Sequence, residues 1–199
     1  MNLVIDDTPV ETSAENIAHA VRQGVEHAKS AGRVVTSILL DGEPVHDVTQ
    51  TAGTRGTLVI ETRPPQELTA TTARQAVAAL ESARELQEQV VELLDRGQRV
   101  EAIDQLSEIF DHWQAAQQTL NLGAALTGID LDTFQASAAG GTVHADQAVA
   151  QLATTLEAVR NAIQNEDDSA LSDTLGGDLL PCIDQWQALL MMLASVAEA

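Results

Sequence analysis

The sequence predicts an α+β chain: a small mixed α/β domain followed by an antiparallel four-helix bundle built from a duplicated helical hairpin. Three observations carry this expectation. The hydrophobic period changes at Pro64-Pro65, from short β-branched runs around one helical stretch to long stretches of period 3.6. Turn clusters and short runs before that pair give a ββαββ order with one late strand. After it, both tryptophans sit in one frame: Asp111-His112-Trp113-Gln114-Ala115 recurs 73 residues later as Asp184-Gln185-Trp186-Gln187-Ala188. A leucine lies seven residues before each tryptophan (Leu106, Leu179) and seven after (Leu120, Leu193), as duplication of a helical hairpin would leave.

Taken in order, Asn2 to Ile5 reads as a strand, Asp6-Asp7-Thr8-Pro9 as a turn, and Val10 to Thr12 as a short return strand. Ser13 is placed to cap a helix over Ala14 to Ser30, with Ile17, Val21 and Val25 on its apolar face and Gly32 ending it. Arg33 to Leu40 is the strongest strand, followed by the hairpin signal Asp41-Gly42 and a short strand at Glu43 to Val45. A polar loop containing Gly53 and Gly56 precedes the last strand, Thr57 to Thr62. The domains are therefore expected at 1–63 and 67–199, with Pro64-Pro65-Gln66 as a short stiff linker.

Four helices are expected beyond the linker. Leu68 to Arg96 carries Ala73, Val77, Leu80, Ala83, Leu86, Val90 and Leu93/Leu94, with Glu81, Glu85, Glu88 and Glu92 along another face. The second helix, after Gly97, shows Ile103, Leu106, Phe110, Trp113 and Leu120, with Glu101, Asp104, Glu108 and Asp111 as its acidic stripe. The third spans Ala145 to Asn165, with Val149, Leu152, Leu156, Val159 and Ile163. The fourth runs from Leu171 to Ala197, and Pro181 should kink it or mark a break near Gly176-Gly177. Short connections after the first and third make antiparallel hairpins. The longer connection, Gly123 to Val143, is expected to form a short helix across one end of the bundle, with Gly140-Gly141 as a helix stop.

Two resemblances follow from these residues. The strand and helix order, with Ser37-Ile38-Leu39-Leu40-Asp41-Gly42-Glu43-Pro44-Val45 and Gly56-Thr57-Leu58-Val59-Ile60-Glu61-Thr62-Arg63, resembles the ubiquitin-like β-grasp fold over residues 1–63. The first hairpin is shorter than in ubiquitin and no Gly-Gly follows Arg63, so conjugation through that end is not expected. In the carboxyl half, Leu179-Leu180-Pro181-Cys182-Ile183-Asp184-Gln185-Trp186, preceded by Glu166-Asp167-Asp168, resembles an uncharacterised bacterial family of helical bundles. There a helical pair ends in Leu-x-Pro-x-x-x-x-Trp.

Net charge is −20, and it is unevenly divided: residues 67–199 hold twenty-one acids against five arginines, for −16. Such a surface repels phosphate backbones, so nucleic acid and anionic membrane are poor partners, whereas a basic protein partner suits it. The apolar run Leu189 to Val196 is too short to span a bilayer, the acidic N-terminus is unlike a secretory signal, and Cys182 is alone. A cytoplasmic location is the expectation.

No residues are expected to be catalytic, cofactor-binding or metal-ligating, and no cofactor is expected. Glu108 and His112 come nearest to the Glu-x-x-His spacing of di-iron bundles, but they are four apart and the second copy carries Pro181 and Gln185 there. Cys182 falls on the apolar side of the fourth helix. His19, His27, His46, His112 and His144 are scattered, and Gly53-Thr54-Arg55-Gly56 lacks the lysine of a phosphate loop. Both tryptophans fall in register with core positions, as packing anchors would. The expectation is a non-enzymatic bacterial adaptor or interaction module with a protein partner. Alternatives are a chaperone for a secretion or motility substrate and an enzyme with its site at an interdomain crevice. A homodimer through Leu189, Met191 and Met192 is a further expectation.

Overall fold

The computed structural model describes residues 1–45 and 56–199. It is α+β, with a mixed sheet near the N-terminus and long helices after it. The expected loop around Gly53, with His46, lies outside the described residues. The chain forms two compact units, Met1–Leu68 and Thr69–Ala199.

In the first unit, β1 (Asn2–Ile5) and β2 (Thr8–Val10) form a hairpin, and β3 (Val34–Leu40) and β4 (Glu43–Pro44) form another. The last strand, β5 (Thr57–Arg63), lies between β1 and β3, parallel to the first and antiparallel to the second. The sheet order is thus β2-β1-β5-β3-β4. Both hairpins use two-residue loops with positive φ: Asp6 and Asp7 at 45° and 62°, Asp41 and Gly42 at 51° and 91°. Left-handed residues match the twist of the paired strands, and aspartate and glycine tolerate that conformation best.

One helix, α1 (Ile17–Ser30), packs on one sheet face. It starts three residues later than Ala14, because Asn16 rather than Ser13 is the cap: its side chain accepts the N–H of His19. The buried face is Ile17, Ala20, Val21, Gly24 and Ala28, over Leu3, Ile5, Leu58 and Ile60. Val25, expected on this face, is instead 40% exposed. Gly24 takes the central place because a Cβ there would collide with Cδ1 of Ile60.

The second unit holds four helical rods. Helix α2 (Pro65–Asp95) begins two residues after β5 ends, with Pro65 as its first residue, where a missing N–H costs no intrahelical bond. Helix α3 (Arg99–Thr127) follows Gly97 and ends at Gly128, which adopts the left-handed C-cap conformation. Helix α4 is Ala145–Gln164. The last rod is continuous from Asp168 to Glu198: α5 (Asp168–Asp173), a wide π-type segment (Thr174–Leu179) and α6 (Leu180–Glu198). Ion pairs Arg74–Glu198 and Arg84–Asp184 show that α2 runs antiparallel to this rod.

Two expectations are corrected here. Gly123 to Val143 holds no short crossing helix. Helix α3 runs on to Thr127, and the remainder forms a two-stranded hairpin, β6 (Gln135–Ala138) with β7 (Gly141–His144). Gly141, with φ of 122°, is therefore a hairpin residue and not a helix stop. Phe134 and Ala136 are buried in the core, and β6 packs on α6.

Pro181 does not break the last rod; the irregularity before it, over Gly176-Gly177, is a wide turn within a continuous helix. The proline has no N–H, and its ring would press on the carbonyl four residues back. The preceding π-type turn widens the backbone, with the Leu180 N–H donating to the Leu175 carbonyl five residues earlier.

The core of this unit contains Leu80, Val90, Leu106, Ile109, Trp113, Leu120, Leu152, Val159, Leu171, Leu175, Leu179, Ile183, Trp186, Leu190 and Leu193. Leu189, expected on an exposed dimerisation stripe, is fully buried and Met192 is half-buried; of the three, only Met191 is exposed, at 49%. The rod Asp168–Glu198 is long and apolar enough to cross a membrane by length and composition. In this fold its apolar face is covered by the other helices of the unit.

Candidate functional site

The duplicated tryptophans come together. Trp113 on α3 and Trp186 on α6 are both buried, with ring centroids 5.8 Å apart and planes at 90°. Edge-to-face aromatic pairs contribute about 0.5–1.5 kcal/mol beyond their buried area. Leu106, Leu120, Leu179 and Leu193, the leucines of the repeat, are buried in the same core. The glutamines that follow diverge. Gln114 is exposed, whereas the Gln187 amide donates across to the Val77 carbonyl and to Glu81 on α2.

The other residues weighed for chemistry remain apart. Glu108 is exposed and His112 half-buried on α3; Pro181 is exposed and Gln185 half-buried at the duplicated positions. Among the described residues, no three histidines, cysteines or carboxylates are grouped to hold a metal ion. Cys182 is buried, and its thiol donates to the Asp178 carbonyl. Burial pushes its pKa up, which disfavours the nucleophilic thiolate. His19 and His27 are exposed on α1, and His144 sits half-buried at the end of β7.

One polar network is built into the first unit. Asp6 accepts the Thr62 N–H at 2.7 Å and the Thr62 hydroxyl at 2.5 Å, and its carboxylate pairs with Arg33 at 3.2 Å. The Thr62 hydroxyl bond, the Thr62 backbone bond and the Arg33 charge hold the Asp6 pKa below the usual carboxylate value, against desolvation. This cluster ties the first hairpin to β5 and is structural in character.

Charge distribution distinguishes the second unit. Each of the five arginines in residues 67–199 is already paired: Arg74 with Glu198, Arg84 with Glu81 and Asp184, Arg96 with Glu92, Arg99 with Asp168, and Arg160 with Glu157. Hydrogen bonding to Glu198, then its charge, raises the Arg74 pKa. Desolvation opposes the Arg84 charge, but Asp184 and Glu81 outweigh it and raise its pKa. The acidic stripes Glu81, Glu85, Glu88, Glu92 on α2 and Glu101, Asp104, Glu108, Asp111 on α3 are all exposed. The surface is therefore anionic without a free compensating cation among its arginines.

A groove between α3 and α4 was not visible in the sequence. It encloses about 530 Å³ and is lined by Phe110, Trp113, Leu152, Leu156 and Ile163, with Gln114, Gln117, Arg160 and Gln164 at its margins. Arg99 at the start of α3 donates to the Ile163 carbonyl near the end of α4, so the two walls run antiparallel. Its signal was an apolar stripe wider than the core requires. On α4 the core takes Ala145, Ala148, Leu152, Thr155, Val159 and Ala162, which leaves Leu156 and Ile163 half-buried on the shoulder. Phe110 is displaced in the same way from the α3 core face of Leu106, Ile109 and Trp113.

Comparison with known proteins adds one result. No curated protein matches the chain, and no solved structure does. Residues 71–189, from α2 through both tryptophan frames into α6, match the family described as Domain of unknown function (DUF8042). The chain belongs to that family.

Proposed function

We propose that this protein is a non-enzymatic interaction module in which the acidic helical unit presents the binding surface. The observation that carries the reading is the exhaustion of cations in residues 67–199: all five arginines are engaged by carboxylates, and sixteen negative charges remain in excess. A field of that sign attracts a basic protein and repels nucleic acid and anionic lipid. In this reading the first unit is a ubiquitin-like β-grasp domain. The sheet order β2-β1-β5-β3-β4 with one packed helix supports that assignment. The second is a four-helix bundle made by hairpin duplication, supported by the meeting of Trp113 and Trp186. We place it in the cytoplasm, on the single cysteine and the acidic charge.

The test is affinity purification of the intact chain from a bacterial lysate at about 50 mM and about 500 mM salt, where screening lengths differ severalfold. Basic proteins retained at low salt and released at high salt are the expected result. Retention of nothing, or of partners indifferent to salt, would count against the acidic docking surface.

A further inference from the structure

We propose that the α3/α4 groove is the docking site for a cationic amphipathic helix of a partner protein. This rests on the interaction reading above and names its surface and its partner chemistry. Three features of the groove select that occupant. First, shape: α4 contributes lining residues from Leu152 to Gln164, a stretch about 18 Å long at 1.5 Å per residue, or roughly three helical turns. Two antiparallel helical walls with half-buried Phe110, Leu156 and Ile163 offer apolar contacts to side chains spaced i, i+4 and i+7 on a third helix.

Second, chemistry. The lining offers apolar surface with glutamine amides at the edge, and its one cation, Arg160, is exposed and paired with Glu157. An anionic ligand would find no unpaired charge there. Third, charge on the shoulders. Helical geometry sets Asp111 on the same side of α3 as Gln114, three residues on, at the margin of the groove, with Asp104 one heptad before it, and both are exposed. A helix seated on the groove by its apolar face would direct flanking lysines or arginines toward those carboxylates.

The probe is a fluorescein-labelled 14-residue peptide of leucine and lysine patterned as an amphipathic helix, with a shuffled peptide of the same composition that lacks an apolar face. Anisotropy titrations use the full chain. The groove variant is Gln114→Arg with Gln117→Arg, both exposed and compatible with the fold. The charge-matched control is Gln75→Arg with Gln89→Arg, exposed on α2. Leu156→Ala, checked for retained helicity, shortens the groove wall without changing charge.

The expected result is salt-sensitive binding of the patterned peptide, weakened about tenfold or more by the groove variant and by about twofold at most by the α2 control. Leu156→Ala should also weaken it, and the shuffled peptide should bind poorly. Equal weakening by both arginine pairs, or equal binding of the shuffled peptide, overturns the groove while leaving the acidic-surface reading standing. Absence of peptide binding overturns the groove, and the lysate experiment then decides the broader reading independently. A dimer in sedimentation equilibrium that the groove variant dissociates would show that a second copy of this chain is the occupant, and overturns the proposal as well.

Discussion

At the residue scale, single side chains in this protein act through groups they leave satisfied or exposed. Asp6 illustrates this, since both donors of the buried Thr62, its N–H and its hydroxyl, end on one carboxylate. Asp6→Ala would strand those donors and is expected to destabilise the first unit by about 1–3 kcal/mol in urea titrations. The sign with pH follows from the lowered pKa. A carboxyl that ionises more readily when folded contributes stability above its unfolded pKa of about 3.9, and that contribution disappears as pH falls through the lower folded value. Wild type should therefore lose stability below about pH 4 more steeply than Asp6→Asn; parallel acid-unfolding curves would refute the role of the carboxylate. Trp186 is the second case. Truncation to alanine opens a cavity against Trp113 and should cost about 3–5 kcal/mol, measured by denaturant midpoint at constant slope. That both indoles face inward could be read from the leucines seven residues away on each side. That they touch edge to edge could not, because sequence offsets carry no information about which neighbouring helices meet.

At the scale of the element, the last rod shows how a sequence pattern can announce an irregular helix. Leu171, Leu175, Leu179 and Ile183 are all fully buried, and they step by four each time. At 100° per residue, each step of four overshoots a full turn by about 40°, so three steps would swing the face about 120° away from the core. The π-type segment from Thr174 to Leu179 absorbs that drift and also makes room for Pro181. Deleting Gly177, which is exposed and where even a Cβ would meet no neighbour, would shorten the pattern to steps of four, three and four that a regular helix satisfies. The proline ring would then press on an ordinary α-turn. The deletion alone should therefore cost about 3 kcal/mol, and adding Pro181→Ala should recover most of it. Additive losses in the pair would mean that the wide turn serves neither purpose. The hairpin Gln135–His144 was hidden for the opposite reason. Gln-Ala-Ser-Ala has no β-branched residue, and it is a strand because Phe134 and Ala136 fit the core, so packing overrides propensity.

At the scale of the whole molecule, the α+β class and the change of character at Pro64-Pro65 were legible, because period and turn chemistry are local properties of the chain. The groove was not, since which part of a broad apolar stripe becomes core depends on how neighbouring helices are rotated: Phe110, Leu156 and Ile163 belong to that undecided margin. Charge is a global property that sequence does report, and it has a consequence for stability. Sixteen excess negative charges on residues 67–199 repel one another in the folded unit more than in the expanded chain. The arginine pairs offset this only in part, because the exposed ones contribute little and weaken under the same screening. Raising monovalent salt from about 20 mM to about 500 mM shortens the screening length from beyond 10 Å to a few ångströms. Repulsion spread over many long separations is lost before short pair attractions are, so the net effect is stabilising. The melting temperature of the intact chain should rise by a few degrees over that range, with chloride and not a strongly excluded anion as the salt, since about 1 kcal/mol corresponds to 2–4 °C at this size. A melting temperature that falls with salt would show that the ion pairs dominate, and with them that the anionic surface is compensated within the molecule and has no need of a basic partner.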